Sequence, residues 1–322
     1  MPFLAQALDP AQARCYLAEC VRNWQNVGEI EIRSIKVVRH KPGRRCLIEY
    51  QLAAPHFSDA PFSVLGKVRA KGLDRKTYEL VQALWLGPFS PRNQDGIYLP
   101  EPIGVIPALA MWLQAKAPGV ASTPLLASPV GPELARRIAE AICKLHQAEL
   151  PVHRSHRMDD ELRILHERLA IVSQFRPTWA VRLERLLAAC DRLGACVPEP
   201  RIRGIHRDFY PAQVLVNCAD VYLVDFDLFC AGDPALDIGN FTGHLTEQAL
   251  RASGNPEALA DAEEALTERF LELSSESCRA SVEAYATLTL VRHIYLSTQF
   301  PERTASTEPL MDLCEQRLRR FL

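Results

Sequence analysis

Six aspartates, a histidine and a glutamine fall within Gly204–Asn240, GIHRDFYPAQVLVNCADVYLVDFDLFCAGDPALDIGN. Two short apolar runs, Val214–Val216 and Val221–Val224, flank a turn-like Asn217–Asp220, the pattern of a hairpin of two short buried strands. Asp208 precedes the first strand and Asp225 ends the second, so the turn folds the two carboxylates back towards each other. Carboxylates so placed can ligate a hard cation such as Mg²⁺. One can instead take the proton of an attacking hydroxyl. Phosphoryl transfer needs both jobs, done by separate groups. The competing reading is a set of loop carboxylates that cap turns or pair with Arg203 and Arg207.

The ordered set resembles the core of the aminoglycoside phosphotransferase/choline kinase family. Its elements are His206-Arg207-Asp208, then Gln213, then Val224-Asp225-Phe226-Asp227, then Gly232-Asp233-Pro234 and Asp237. The resemblance implies an α+β, two-lobed protein-kinase-like fold: an N-terminal antiparallel sheet with a helix, and a mainly helical C-lobe. It implies transfer of the γ-phosphoryl of ATP, or GTP, to a hydroxyl of a small molecule such as a sugar, aminoglycoside or amino alcohol. Asp208 would orient the acceptor hydroxyl and take its proton. Asp225 would bind Mg²⁺, helped by Gln213 at the family's metal-binding Asn position. Asp227, where protein kinases carry the Gly of Asp-Phe-Gly, would be a further metal ligand or support one. His206 and Asp237 would brace the catalytic loop. The chain departs from the pattern at Gln213, one methylene longer than Asn, and at Arg207, where the family has Gly. Gln213 keeps a second expectation open, a catalytically weak or inactive nucleotide-binding pseudokinase with a regulatory role. A protein kinase is disfavoured, because Gly232-Asp233-Pro234 follows Asp225 too soon for an activation segment.

Upstream elements must position a nucleotide. Asp9-Pro10 reads as a helix start, with the helix running to about Trp24. Ile30–Val38 and Cys46–Leu52 read as a hairpin joined by the basic Arg39–Arg45, whose Arg44 would lie over the phosphates or in a solvated turn. Phe62–Ala70 reads as a third strand carrying Lys67, the candidate phosphate lysine, with Lys71 and Lys76 as competitors. The helix Arg75–Trp85 carries Glu79, the expected ion-pair partner of Lys67. Ile103–Ile106 and Ala108–Leu113 complete a five-stranded sheet. Gln114-Ala115-Lys116-Ala117 resembles the family's hinge, whose backbone would bind adenine. The expected division is therefore an N-lobe at 1–113, a hinge at 114–119 and a helical C-lobe at 120–322.

Downstream, helical periodicity marks Pro132–Leu150, Asp159–Phe175, Trp179–Leu193 with a Gly194 C-cap, Phe241–Leu250, Asn255–Leu273 and Ser281–Gln299. His146 reads as a structural hydrogen-bonding residue; Arg292-His293 would line a pocket or cap a buried network. His153 and His156 lie close together, but no cysteine or carboxylate cluster joins them.

Composition narrows the class. A net charge of −2 over 322 residues predicts no general affinity for nucleic acid or an anionic membrane. No run approaches the ~20 apolar residues of a spanning helix, and the start Met-Pro-Phe-Leu has no signal-peptide pattern. Ten scattered cysteines without a Cys-x-x-Cys pair point to a reducing cytoplasm.

Overall fold

The computed structural model describes residues 3–25, 29–54, 58–152, 154–274 and 278–322. His153 lies outside the described residues. The chain divides into two compact units, 1–119 with 217–224, and 120–216 with 225–322.

The first unit holds helices α1 (Leu4–Leu8), α2 (Pro10–Gln25) and α3 (Arg75–Leu86). Its strands are β1 (Glu31–Lys41), β2 (Arg45–Ala54), β3 (Ser58–Arg69), β4 (Ile97–Tyr98), β5 (Pro102–Ile106) and β6 (Met111–Ala115). Five of them form one antiparallel sheet in the order β1-β2-β3-β6-β5. Alternation along β2 sends Cys46, Ile48, Tyr50 and Leu52 to one face, where they meet Val64, Val68, Met111 and Leu113. Ala7, Ala13, Leu17 and Val21 of α1 and α2 belong to this same core, and the Tyr50 hydroxyl donates to the Ala7 carbonyl at 2.9 Å.

Three local readings change. The β1–β2 connection is a tight turn over 42–44 rather than a seven-residue loop; Lys41 pairs with Arg45, and Gly43 takes φ 67°. The expected strand at Ala108 is instead a 3-10 turn, Pro107–Leu109, followed by Ala110 at φ 46°. The strand therefore starts at Met111 and runs on through Gln114 and Ala115.

The second unit begins with β7 (Val120–Ala121), α4 (Thr123–Leu126), α5 (Gly131–His146), α6 (Met158–Phe175) and α7 (Ala180–Ala195). Then come β8 (Arg203–Ile205) and β9 (Val214–Asn217). The next strand, β10 (Asp220–Leu223), belongs to the first unit and pairs in parallel with β4. The second unit resumes with β11 (Cys230–Gly232), α8 (Pro234–Ser253), α9 (Ala260–Leu273), α10 (Arg279–Gln299) and α11 (Thr307–Arg317). Gly194 is no cap. It lies inside α7, where an added Cβ would stand 2.9 Å from Leu162 Cδ1 of α6, so its small size lets two helices approach. α8 packs on α10 in the same way. A Cβ on Gly239 would meet Tyr285 Cβ at 2.5 Å and the Val282 carbonyl at 2.6 Å, and one on Gly243 would meet Thr289 Cβ at 2.8 Å.

A carboxyl within this bundle makes stability pH-dependent. Burial pushes Glu263 up to about 7 from an ordinary 4.5, against the Thr246 hydroxyl bond and the Arg317 charge that favour ionisation. Thr246 Oγ1 donates to Glu263 Oε1 at 2.9 Å. With the folded value raised, the folded state holds the extra proton, and stability falls as pH rises from about 4.5 through 7. Thermal melts of wild type and Glu263→Gln are expected to coincide near pH 4.5. Above pH 7 the glutamine variant gains ~2–3 kcal/mol relative to wild type. Parallel melting curves across that window would show that Glu263 does not titrate as stated.

Candidate active site

In the second unit, β8 and β11 pair antiparallel with Ile205 opposite Cys230, and the chain after each carries candidate residues. β8 leads into His206-Arg207-Asp208. β11 leads into Asp233, which caps α8 by accepting the Ala235 N–H at 2.9 Å, followed by Pro234 at the first helical position. One turn into α8, Asp237 is fully buried. Its Oδ2 accepts the backbone N–H of His206 at 2.8 Å and bonds His146 Nε2 at 2.9 Å; its Oδ1 accepts the Arg207 N–H at 2.6 Å. The expected brace is therefore a set of main-chain bonds, and His146 is the structural residue anticipated. Asn240, one helical turn on, donates from Nδ2 to the Phe209 carbonyl at 2.8 Å. Asp208 thus sits between two residues whose backbone groups are anchored to α8.

Asp208 itself is half-buried, and among the described residues its carboxylate has neither a hydrogen bond nor an ion pair. Arg207 beside it adopts φ 70°. That left-handed geometry suits glycine, the residue this position carries in the resembled pattern, and costs a side-chain-bearing residue on the order of 1 kcal/mol. Asp225 is also left-handed, at φ 66° and ψ 60°, and opens the 3-10 turn Phe226–Leu228 that contains Asp227. Both aspartates are half-buried.

Gln213 ends a 3-10 turn, Pro211–Gln213, held by the Ser122 hydroxyl on the Pro211 carbonyl at 2.8 Å. Its amide is buried, and Nε2 donates to the Tyr210 hydroxyl at 3.3 Å. That leaves the amide oxygen, the atom a hard cation takes, on the other side of the group. No cluster of three or more His, Cys, Asp and Glu with metal-holding geometry occurs among the described residues. A Mg²⁺ shared with nucleotide phosphates needs only one or two carboxylates, so the Asp225, Asp227 and Gln213 donors suit it. Tyr210 stacks on His244 with ring centroids 4.7 Å apart, and His244 meets His293 edge-on at 4.4 Å. Burial pushes both imidazoles below their ordinary value, against the Glu247 carboxylate in the case of His293.

In the first unit, Lys67 lies on β3 opposite Trp112 of β6, with its ammonium 4.9 Å from the indole centroid. Glu79 does not join it. Thr77, Val81 and Leu84 form the buried face of α3, and Glu79 is exposed, without an ion pair among the described residues. In the hinge segment the Ala115 N–H donates to Glu101 and the Lys116 N–H to Ser63. Gln114 is buried in β6, and the Lys116 ammonium bonds Glu49 at 2.8 Å. That bond is the main cause holding the Glu49 carboxyl below its ordinary value. Among Ala115, Lys116 and Ala117, only Ala117 has no backbone acceptor for its N–H among the described residues. Arg44 is exposed at the β1–β2 turn.

Sequence reading missed Glu161, His156, Asn240, Tyr210 and His244. The sequence reading gives His156 no carboxylate cluster, yet Glu161 lies 2.5 Å away. Asn240 and Tyr210 stand inside the motif stretch and Glu161 only five residues from His156, but none of the five falls at a position that the motif marks.

The solved structures most similar in fold include a choline/ethanolamine kinase family protein from Mesorhizobium loti, 14% identical, covering 98% of this chain and 93% of that one, with a TM-score of 0.58. A thermostable mutant of the aminoglycoside phosphotransferase APH(4)-Ia, in ternary complex with ADP and hygromycin B, is 13% identical, with coverages of 95% and 97% and a TM-score of 0.62. A choline kinase from Cryptosporidium parvum is 13% identical, with coverages of 97% and 96% and a TM-score of 0.58. At such identities the likeness establishes the fold, which is the kinase-like α+β fold expected. No curated protein matches the chain. The APH family model, described as a phosphotransferase enzyme family, matches residues 92–273, more than half of the chain and all of the braced loop and its partners, and the chain belongs to that family.

Proposed function

We propose that this protein transfers the γ-phosphoryl group of ATP, with GTP as the alternative donor, to a hydroxyl of a small molecule such as a sugar, aminoglycoside or amino alcohol. The acceptor oxygen attacks the γ-phosphorus, its proton passes to the Asp208 carboxylate, and the bond to the β-phosphate oxygen breaks to release the nucleoside diphosphate. Asp225, Asp227 and the Gln213 amide oxygen hold Mg²⁺, which when bound neutralises charge on the phosphates. Lys67 binds phosphate, Arg44 covers it, and backbone at Gln114–Ala117, above all the Ala117 N–H, takes the adenine. The observation that carries this reading is Asp208: a half-buried carboxylate with no partner of its own among the described residues, on a loop whose backbone is anchored at both neighbours. That is the geometry of a general base fixed in place and left open to a substrate. The structural neighbours solved with ADP, AMP-PNP, hygromycin B or spectinomycin support the same class of donor and acceptor. No helix of the described residues is long and apolar enough to cross a membrane, and all ten cysteines are free thiols, which suits a cytoplasmic setting.

A second reading, nucleotide binding without turnover, is favoured by Glu79, which is exposed and makes no ion pair among the described residues, so the carboxylate expected to orient the lysine does not do so. Calorimetric titration with a non-hydrolysable ATP analogue, with and without Mg²⁺, tests both readings when followed by an ADP-release screen over hydroxyl acceptors. Removing Mg²⁺, or Asp225→Ala in its presence, is expected to weaken binding about tenfold or more. Metal-independent binding by wild type would remove the ligand role of Asp225. Metal-dependent binding with no ADP release on any acceptor would favour the second reading.

A further inference from the structure

Glu161, in the first turn of α6, is only 4% exposed and has no part in the chemistry above. Its Oε1 meets His156 Nε2 at 2.5 Å, and its Oε2 accepts Arg292 Nη1 at 3.2 Å. His156 is fixed in turn, because its N–H donates to the Ala231 carbonyl of β11 at 2.8 Å. From α10, Arg292 Nη2 donates to the Asn240 amide oxygen. The Thr289 hydroxyl donates to that oxygen as well, at 3.3 Å. The opposite atom of the amide, Nδ2, donates to the Phe209 carbonyl. A continuous path of hydrogen bonds thus runs from β11 and α6 through α10 and α8 to the carbonyl of Phe209, the residue that follows Asp208.

A side-chain amide is nearly symmetric in shape, and its orientation is set by its partners. Two donors on Oδ1 forbid the flip, since a reversed Asn240 would aim Nδ2 at the guanidinium and present Oδ1 to the Phe209 carbonyl. We propose that Arg292 is a positioning residue for Asp208: with its guanidinium held by Glu161, itself held by His156, it locks Asn240 in the one orientation that ties down the Phe209 carbonyl. A planar fork reaches Glu161 and Asn240 together, whereas an ammonium is a single point charge. Burial pushes the Glu161 carboxyl up, but the His156 bond and the Arg292, His156 and Arg207 charges outweigh it, and the group is held below its ordinary value. The path therefore keeps its anion.

The catalytic meaning of this path rests on the phosphotransfer reading; the loop anchoring does not. Full-length Arg292→Lys and Glu161→Gln are compared with wild type by amide hydrogen exchange over residues 205–213, with the β1–β2 hairpin as internal control. Exchange in 205–213 is expected to rise about tenfold or more in Arg292→Lys while the hairpin is unchanged. The charge-conserving lysine fails to restore protection, which a merely electrostatic role would permit. Glu161→Gln folds with an isosteric acceptor and shows the same sign, and the double variant shows no more than the larger single effect. On an acceptor that supports turnover, kcat falls about tenfold in Arg292→Lys with KM for ATP within about twofold. Wild-type exchange in 205–213 in both single variants overturns the inference, whatever their melting temperatures, and leaves the phosphotransferase reading standing. Faster exchange in a protein that turns over no acceptor supports the anchoring and sinks the catalytic reading instead.

Discussion

Asp208→Asn is expected to lower turnover by ~10² or more while leaving the affinity for the Mg²⁺–nucleotide complex within about twofold. The substitution keeps size and polarity but replaces a basic carboxylate with an amide, whose oxygen is too weak a base to take the acceptor proton. It disturbs no internal bond, because Asp208 has none among the described residues. The backbone bonds on either side, Arg207 to Asp237 and Asn240 to Phe209, do not involve its side chain. The loss should therefore appear in kcat with little change in melting temperature, the pattern of an interaction made only in the transition state. ADP release in the presence of a productive acceptor is the measurement. An asparagine variant that turns over at the wild-type rate would show that another group takes the proton or that none needs to.

How much of this was legible depends on where each partner lies in the chain. Asp208, Gln213, Asp225 and Asp227 stand out as candidates in the sequence because phosphoryl transfer calls for these residue types at short, ordered spacings, and Asp237 lies close enough for one motif to include it. Strands β1 to β3 and helices α5 to α10 followed from period-two and period-3.6 patterning. Pairing Glu79 with Lys67 follows the resembled family's pattern against the periodicity of its own helix. With Thr77, Val81 and Leu84 buried, a residue two places beyond Thr77 lies about 200° round the axis, towards solvent. Gly194 reads as a stop in the sequence because glycine ends many helices. Its reason here is Leu162 on a neighbouring helix, which no local window contains. The same holds for Glu161 and Arg292, 131 residues apart, and for His146 and Asp237, 91 apart. Buried polar pairs of this kind have no periodicity. They become visible only when packing brings the two helices together and each group has to find a partner.

Asp237→Ala is expected to be the most destabilising single change in the second unit, by about 3–5 kcal/mol. The side chain is fully buried and bonds three groups at once, the His206 and Arg207 N–H groups and the His146 ring. Truncation leaves two main-chain donors buried, and it removes what offsets the left-handed φ of 70° at Arg207. The conservative variant separates bracing from bulk. In Asp237→Asn, the oxygen can serve either the His206 and His146 side or the Arg207 side, and the amide nitrogen then faces a donor on the other. Placed with its oxygen towards His206, the amide opposes the Arg207 N–H, releasing the residue next to Asp208. A smaller loss, about 1–2 kcal/mol, is then expected, together with a fall in kcat of about tenfold or more. Urea titration reports the stabilities, and ADP release reports the turnover. If Asp237→Asn were destabilised yet fully active, the brace would hold up the fold without aiming Asp208. If Asp237→Ala melted like wild type, these three bonds would carry little of the stability, and the anchoring of the loop would have to come from Asn240 alone.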